Sequence, residues 1–211
     1  MKKRSGKTVG AKVRRRQSQH RETRLSAVFL VGFMGAGKTS VGRSLAHYLN
    51  WAFEDLDDRI ERREGRTVPE IFRDCGESDF RRAEHAALED VLDELRAGAV
   101  RIVALGGGAF VQTNNAALLK TAGVPTVFLD APVEELWQRC SKQAGEAGAE
   151  RPLLRSINQF RELYETRRKN YAQASHTIQT RGRAVEKIAA EIAETLGLAR
   201  IEIRTQQGEV E

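Results

Sequence analysis

The chain has 211 residues, enough for a single α/β domain with one hydrophobic core. Hydrophobic residues make up 40% of it and charged residues 30%, which favours a soluble globular protein over a disordered or fibrous one. No apolar run approaches the roughly 20 residues that a membrane-spanning helix requires, so we expect no contact with a membrane.

The net charge of +6 is unevenly distributed along the chain. Residues 1–24 contain ten Lys or Arg and one acidic residue, a net charge of +9, whereas the remainder carries −3. A basic block of this kind could bind nucleic acid or an anionic surface, but more often it is a solvated extension. We therefore interpret residues 1–24 as a disordered tail and do not expect a nucleic-acid partner.

The cysteine content and the N-terminus indicate a cytoplasmic protein. Cys75 and Cys140 are spaced neither like metal ligands nor like a disulfide framework. The N-terminal residues are basic but lack the apolar stretch and the small-residue cleavage site of a secretory signal.

Beyond residue 24, apolar β-rich runs alternate with amphipathic stretches. Strands are predicted at Leu25–Val31, Ala52–Phe53, Val100–Leu105, Pro125–Leu129 and His176–Ile178. Helices are predicted at residues 38–49, 78–97, 114–121, 133–143, 156–172 and 184–197. This alternation predicts βαβ units, and hence an α/β fold in which helices cover both faces of a parallel sheet. The folded domain is expected at residues 25–200, followed by a polar tail at 201–211.

A phosphate-binding motif follows the first predicted strand. Gly32–Thr39 matches G-x-x-x-x-G-K-[ST], and a helical pattern comes directly after it. Glycines let successive backbone N–H groups point into one anion-binding nest, to which the next helix adds the positive end of its dipole. Lys38 can reach the β and γ phosphates, and the Thr39 hydroxyl can complete a Mg²⁺ shell. The motif predicts nucleotide binding but does not choose among ATPase, GTPase and kinase.

An acidic stretch follows the second predicted strand, where ligands of doubly wound sheets gather. Asp55 and Asp57 would point to the same side if the chain stays extended there. One carboxylate could then hold a Mg²⁺-bound water while the other accepts a hydroxyl proton from the phosphoryl acceptor. The alternative is a solvated acidic cap on a helix that starts near Asp57.

Two later segments carry features of an acceptor pocket. Arg81 and Arg82 follow Phe80, and an arginine fork suits a carboxylate while a phenylalanine excludes water. Alternatively, these charges form an ordinary solvated helix face. The three glycines Gly106–Gly108 come directly after a strand and indicate a close approach of the backbone to another group, although a plain turn is the alternative.

Further charged residues lie in the C-terminal half. Arg151 closes a segment without periodicity, residues 146–155, and suits a lid that meets the phosphates when it closes. Arg167 and Arg168 lie on a predicted helix, where they could bind a carboxylate or face solvent. Asp130, at the end of the fourth predicted strand, is interpreted as the cap of the next helix.

In this order, the motifs resemble those of the shikimate kinase family, which has the P-loop fold of nucleoside-monophosphate kinases. The family carries a P-loop, a D-x-D, an I-F…G-E…F-R-R-x-E stretch, a triple glycine, an R-P-L-L lid and an R-x-x-x-Y helix. Here these are Gly32–Thr39, Asp55/Asp57, Ile71–Glu84, Gly106–Gly108, Arg151–Leu154 and Arg167–Tyr171. The resemblance implies a three-layer α/β/α fold with a five-stranded parallel sheet of order 2-3-1-4-5, a lid and a substrate-binding subdomain.

The resemblance also implies a reaction, in which ATP phosphorylates the 3-hydroxyl of shikimate with the help of Mg²⁺, a step towards the aromatic amino acids. It assigns catalytic roles to Lys38, Asp57 and Arg151. Nucleotide contacts are implied at Gly35, Ala36, Gly37, Lys38, Thr39, Ser40, Arg139, Arg151 and Arg183, and Mg²⁺ contacts at Thr39 and Asp55. Shikimate contacts are implied at Asp55, Asp57, Phe80, Arg81, Gly106, Gly107, Gly108 and Arg167.

The chain departs from the family pattern in three places, one of which is the basic tail at residues 1–24. The segment between Arg139 and Arg151 is a few residues longer than is common, and Lys169-Asn170 stands where family members often have Pro-Leu. The competing hypotheses are a P-loop kinase for another small acceptor, such as gluconate or a nucleotide, and a non-catalytic ATP-binding module. The arginines and the D-x-D favour a polyhydroxy acid. We expect a monomer.

Overall fold

The computed structural model describes residues 25–147 and 156–198, apart from the side chains of residues 143–147. The strands are β1 (Ala27–Val31), β2 (Ala52–Asp55), β3 (Arg101–Ala104), β4 (Thr126–Asp130) and β5 (His176–Gln179). The helices are α1 (Lys38–Leu49), α2 (Leu56–Glu64), α3 (Val68–Arg96), α4 (Thr113–Ala122), α5 (Val133–Ala147), α6 (Ile157–Tyr171) and α7 (Val185–Thr195), with a 3₁₀ turn, η1, at Ala109–Val111.

All strand pairs in the sheet are parallel, and the strand order is β2-β3-β1-β4-β5. The predicted fold class and strand order are therefore confirmed. Strand β1 lies at the centre, where Phe29 pairs with Val103 on one side and Thr126 on the other, and its five residues are all buried. Because parallel strands end at one edge of the sheet, the loops that follow β1, β2 and β3 meet there.

Helices pack on both faces of this sheet, as a parallel sheet requires. Helix α1 packs against α7, while α3 contacts α4 and α5 contacts α6. The core includes the large buried side chains Phe29, Phe33, Phe128, Phe160 and Tyr171. Among the described residues, no helix combines the length and apolar character needed to cross a membrane.

The predicted helix at residues 78–97 begins ten residues earlier, at Val68. Its N-terminus is a capping box in which the Thr67 hydroxyl accepts from the Glu70 backbone and the Glu70 carboxylate accepts from the Thr67 backbone. The early turns escaped prediction because Gly76, with φ 82°, breaks the helical backbone. Helix α2 was anticipated only as the alternative of a helix starting near Asp57, since its charge-rich sequence, LDDRIERRE, has few apolar positions.

The close packing of α1 on the sheet depends on Gly42. A Cβ at this position would overlap the ring of Phe53 and lie 3.2 Å from Cδ1 of Leu30. We expect Gly42→Ala to lower the free energy of unfolding by about 1–3 kcal/mol, because overpacking outweighs the gain in helix propensity. Urea denaturation measures this, with Ser44→Ala on the same helix as the control. A Gly42→Ala variant as stable as the control would contradict the prediction.

Candidate active site

The loop between β1 and α1 has the backbone of an anion-binding nest. Gly32, Gly35 and Gly37 adopt φ values of 146°, 77° and 88°, which residues with a Cβ rarely adopt. Gly37 is the N-cap of α1 and offers no side chain to the first N–H groups of the helix, and the first turn contains no acidic residue. These N–H groups and the positive end of the helix dipole are therefore left for an anion.

Lys38 crosses this loop from the first position of α1. Its Nζ donates to the carbonyl oxygens of Gly32 at 2.9 Å and Phe33 at 3.0 Å. Burial holds the pKa of the Lys38 ammonium below its ordinary value, although Asp57 and Asp55 act in the opposite direction. The side chain thus places a buried cation in the nest, where the resemblance predicts the phosphates.

The loop also packs tightly against α5. A Cβ at Gly35 would lie 2.8 Å from Sγ of Cys140 and 2.8 Å from the carbonyl oxygen of Leu136. Arg139, on the same helix, donates through Nη1 to the Gly35 carbonyl oxygen at 3.3 Å and pairs with Glu135. The position of the nest is therefore fixed by α5 as well as by β1.

Asp55 and Asp57 come together by a route other than the predicted one. The chain does not stay extended, because Asp55 ends β2 and Asp57 lies in the first turn of α2. Asp55 caps this helix by accepting from the backbone N–H of Asp57 at 3.2 Å, and its other oxygen accepts from the Thr39 hydroxyl at 2.9 Å. The expected alternation was wrong, whereas the alternative of an acidic cap on a helix that starts near Asp57 agrees with α2 and its N-cap Asp55. This cap brings both carboxylates next to the phosphate loop.

Asp57 has a buried carboxylate oxygen and a raised pKa. Its Oδ1 is buried and has no hydrogen-bond partner among the described residues. Burial raises the pKa of Asp57 to about 6, and the charge of Asp55 adds to the rise while Lys38 opposes it. A Cβ at Gly106 would lie 2.5 Å from this oxygen, so the glycine loop closes one side of the carboxylate. A buried acceptor without a partner is suited to a hydroxyl group of a ligand.

The structure separates the two neighbouring arginines of α3. Arg81 is 19% exposed and donates to Glu84 Oε2 at 2.9 Å and to Glu77 Oε1 at 3.1 Å. Its guanidinium lies 5.1 Å from the centre of the Phe80 ring. Arg82 is 75% exposed and pairs with a surface carboxylate. Arg81 therefore belongs to the site, and Arg82 forms the solvated helix face.

Glu84 is fully buried and accepts from the Arg81 guanidinium. Burial raises the pKa of Glu84 to about 7, although the guanidinium of Arg81 opposes the rise. A Cβ at Gly108 would lie 2.6 Å from Nη2 of Arg81, so this arginine, too, faces the glycine loop. The sequence analysis named Glu84 only as the last residue of a motif. In the structure its buried carboxylate binds the Arg81 guanidinium and so fixes the position of Arg81.

Helix α6 brings a second arginine to the same loop. Arg167 donates through Nη1 to the Gly107 carbonyl oxygen at 3.3 Å, and its guanidinium lies 6.0 Å from the centre of the Phe33 ring. The Tyr171 hydroxyl donates to the same carbonyl oxygen. Burial raises the pKa of Tyr171 to about 12, which keeps this donor protonated. The sequence pattern contained Tyr171 but gave no indication of this bond.

The three glycines are thus where the predicted acceptor residues meet. Gly106 faces Asp57, Gly107 accepts from Arg167, and Gly108 faces Arg81. The interpretation of the triple glycine as a close backbone approach agrees with these distances. Phe80 is buried next to this group, whereas Arg151 lies outside the described residues.

The remaining predicted nucleotide arginine among the residues that the structure describes is Arg183. Arg183 follows β5, donates to the Gln179 carbonyl oxygen at 2.9 Å and pairs with Glu191. The backbone N–H of Gly182 donates to Glu135, the partner of Arg139, at 3.4 Å. The segment after β5 is therefore connected to α5 and, through it, to the phosphate nest.

Asp130 does not fit the predicted role of a cap for α5. Its carboxylate accepts from Tyr164 at 2.9 Å, Arg168 at 2.9 Å and Gln179 at 3.1 Å, all of them on α6 or β5. The prediction was wrong because these donors are 34 to 49 residues away in sequence. The spacing of Tyr164 and Arg168, one helical turn apart, was the available signal that they share a face.

A parallel sheet, a glycine nest at the end of its central strand and an adjacent cluster of two arginines and an aspartate define a P-loop phosphotransferase with a small anionic acceptor. Comparisons with known proteins name the family. The family model for shikimate kinase matches residues 34–197. Shikimate kinase of Persephonella marina is 39% identical over 166 residues, which cover 78% of this chain and 95% of the relative. Shikimate kinase of Cereibacter sphaeroides is 39% identical over 196 residues, covering 89% and 94%.

A solved structure gives the same result. Shikimate kinase from Acinetobacter baumannii in complex with shikimate has a TM-score of 0.72 at 36% identity, covering 82% of this chain and 93% of that one. The chain belongs to the shikimate kinase family, whose reaction is the ATP-dependent phosphorylation of shikimate.

The raised pKa of Asp57 predicts a pH-dependent cost in stability. Because its native pKa of about 6 lies above the ordinary 3.8, this group favours the folded state at low pH, and the benefit is lost as the pH rises through about 6. We expect Asp57→Asn to gain about 2 kcal/mol over the parent protein in free energy of unfolding between about pH 4.5 and about pH 8. Urea denaturation at both pH values measures the gain.

Asp58→Asn is the matched control for this experiment, because Asp58 is an exposed carboxylate in the same helical turn. We expect it to follow the parent protein at both pH values. A pH-independent difference between Asp57→Asn and the parent protein would contradict the assignment of the raised pKa to Asp57.

Proposed function

We propose that the chain transfers the γ-phosphoryl group of ATP to the 3-hydroxyl of shikimate in a single in-line step. The P–O bond to ADP breaks as the bond to the shikimate oxygen forms, and the hydroxyl proton leaves to Asp57. The observation that carries this proposal is the meeting of Asp57, Arg81 and Arg167 at three successive glycines beside the phosphate nest.

The acceptor part of the proposal depends on charge. Arg81 and Arg167 offer two guanidinium groups to a carboxylate, and Phe80 limits the access of water to Arg81. Asp57 offers to a hydroxyl a buried oxygen that has no partner among the described residues. The backbone of Gly106–Gly108 lies between Asp57 and the two arginines. A molecule with a carboxylate at one end and hydroxyls at the other fits this arrangement.

Asp57 is suited to accept the hydroxyl proton. Since its pKa is about 6, the carboxylate is ionised at neutral pH, yet it is far more basic than an ordinary aspartate. The positioning of both substrates and the stabilisation of charge supply most of the remaining rate acceleration in phosphoryl transfer.

For the nucleotide, we assign the phosphates to the nest of Gly35, Ala36 and Gly37, with Ser40 in the first turn of α1. Lys38 would exchange its bonds with the loop carbonyls for bonds with phosphate oxygens. Arg139 and Arg183 are assigned to the adenine side, and Arg151, which lies outside the described residues, to the transferring phosphoryl group.

The residues next to the nest fit Mg²⁺. The Thr39 hydroxyl and the Asp55 carboxylate are hard oxygen ligands 2.9 Å apart at the edge of the nest. The remaining ligands of such an ion would be phosphate oxygens and water. We assign Thr39 as its ligand and Asp55 as the acceptor of a bound water. When bound, the ion neutralises charge on the phosphates.

We further propose that the enzyme is a cytoplasmic monomer. All assigned residues come from one chain and lie between Gly32 and Arg183, so the site needs no second copy. Residues 1–24 and 201–211 are proposed to be tails outside the catalytic domain at 25–200. The cysteine spacing is typical of a reducing compartment.

The first kinetic prediction uses the two neighbouring arginines. We expect Arg81→Lys to raise the KM for shikimate by at least about tenfold, because lysine cannot form a two-point contact with a carboxylate. The KM for ATP should change little. Arg82→Lys is the matched control, since Arg82 faces solvent in the next position of the same helix.

Steady-state ADP release measures both variants, and the same assay tests the acceptor. Shikimate, gluconate and nucleoside monophosphates are compared in the presence of ATP and Mg²⁺. ADP release that does not depend on shikimate contradicts the proposed function, and equal effects of the two arginine variants contradict the assignment of Arg81.

The second kinetic prediction concerns the metal. We expect Thr39→Val to raise the Mg²⁺ concentration for half-maximal activity by about tenfold, because valine keeps the shape but removes the hydroxyl ligand. Thr39→Ser keeps the hydroxyl and should behave like the parent protein. Titration of activity with Mg²⁺ at saturating ATP measures the change, and an unchanged midpoint in Thr39→Val would remove Thr39 from the metal site.

A further inference from the structure

A second cluster of charged and polar residues lies at the end of β4, where no role in the reaction has been assigned. The Asp130 cluster consists of Asp130, Tyr164, Arg168 and Gln179. Asp130 is 5% exposed, and its two carboxylate oxygens accept from the other three side chains. Burial acts to raise the pKa of Asp130, but the hydrogen bonds from Arg168, Gln179 and Tyr164 hold it below its ordinary value. The Asp130 carboxylate is therefore ionised at neutral pH.

The cluster fixes the helix that carries the second acceptor arginine. Arg168 and Tyr164 are on one face of α6, one turn apart, and both hold Asp130. Tyr164 also lies edge-on to Phe33 of the phosphate loop, with ring centres 5.5 Å apart. Arg167, directly before Arg168, points instead to the Gly107 carbonyl oxygen. A rotation of α6 that opened the Asp130 pair would therefore turn Arg167 away from the glycine loop.

The same aspartate also holds the strand that leads to the nucleotide side. Gln179 binds its carboxylate, and Thr180 donates from its backbone N–H to its carbonyl oxygen at 2.8 Å. Arg183 follows three residues later and donates to the Gln179 carbonyl oxygen. Asp130 thus connects α6 to the segment after β5 through a single residue at the end of β4.

We propose that Asp130 and Arg168 are positioning residues for the acceptor site, which set the rotation of α6 and so direct Arg167 to the carboxylate of the substrate. This rests on the proposed function, which assigns Arg167 to that carboxylate. The Arg168 side chain itself is 49% exposed and donates to Tyr164 and Asp130, not to the glycine loop. Because the Asp130 carboxylate is only 6% exposed, removal of the Arg168 charge should cost some stability, whereas a change in the rotation of α6 should appear selectively in the binding of shikimate.

Kinetics of Arg168→Met test the proposal, because methionine keeps the length and packing of the stem but removes the charge. We expect the KM for shikimate to rise by roughly threefold to tenfold, with kcat and the KM for ATP nearly unchanged. Arg168→Lys can still pair with Asp130 and should recover most of the loss. A general loss of structure would instead lower the active fraction, and so kcat, without this selectivity.

Arg161→Met is the matched control. Arg161 is on the same helix and is exposed to a similar extent, 47%, but its partner Glu134 is 61% exposed whereas Asp130 is 6% exposed. The control therefore removes an arginine charge from α6 without opening a buried pair. We expect the KM for shikimate to be unchanged in Arg161→Met. Equal behaviour of the two methionine variants would overturn the proposal.

A double-mutant cycle shows whether Arg168 acts through Arg167. In an Arg167→Ala background, Arg168→Met should have no further effect on the KM for shikimate, because the group that it directs is gone. Additive effects would overturn the positioning role. If Arg167→Ala itself leaves the KM for shikimate unchanged, the assignment of Arg167 fails, and the proposed function of this arginine fails with it. A change in Arg167→Ala without one in Arg168→Met removes only the present inference.

Discussion

The backbone of Gly106 and Gly108 approaches Asp57 and Arg81 more closely than residues with a Cβ would allow, and the carbonyl oxygen of Gly107 between them accepts from Arg167. Asp57 comes from α2, Arg81 from α3 and Arg167 from α6, so each group is positioned by a separate helix. The absence of side chains at Gly106 and Gly108 lets Asp57 and Arg81 approach the loop next to the carbonyl group that binds Arg167. The sheet edge, the cap on α2 and the packing of α6 all serve to hold these groups there.

Holding these groups together has an electrostatic cost. Burial raises the pKa of Asp57 to about 6 and that of Glu84 to about 7, so that both carboxylates are less readily ionised than in water. Arg81 and Lys38 offset part of this cost without removing it. Buried carboxylates with raised pKa values are typical of functional sites, where some stability is lost in exchange for reactivity.

The regular parts of the fold followed from sequence periodicity, since strands β1, β3 and β4 are apolar runs and α1 and α7 are amphipathic. The P-loop was predicted with its correct flanking elements for the same reason. Local chemistry was less accessible. The sequence did not decide whether the chain continues as a strand after Asp55 or turns into a helix that Asp55 caps, because only two residues separate the two outcomes. The start of α3 was not predicted because Gly76 interrupts the helix. The partners of Asp130 could not be predicted, because distant segments supply them and no short pattern records the contact.

The placement of β1 beside β3 has a consequence for how such enzymes diversify. The donor loop leaves one strand and the glycine loop leaves its immediate neighbour, so the gap between the two substrates is inherited from the spacing of hydrogen-bonded strands. Acceptor contacts, by contrast, come from helices that can vary separately. A lineage with this architecture could exchange one acceptor for another through changes on those helices, and the geometry of phosphoryl transfer would be preserved by the sheet.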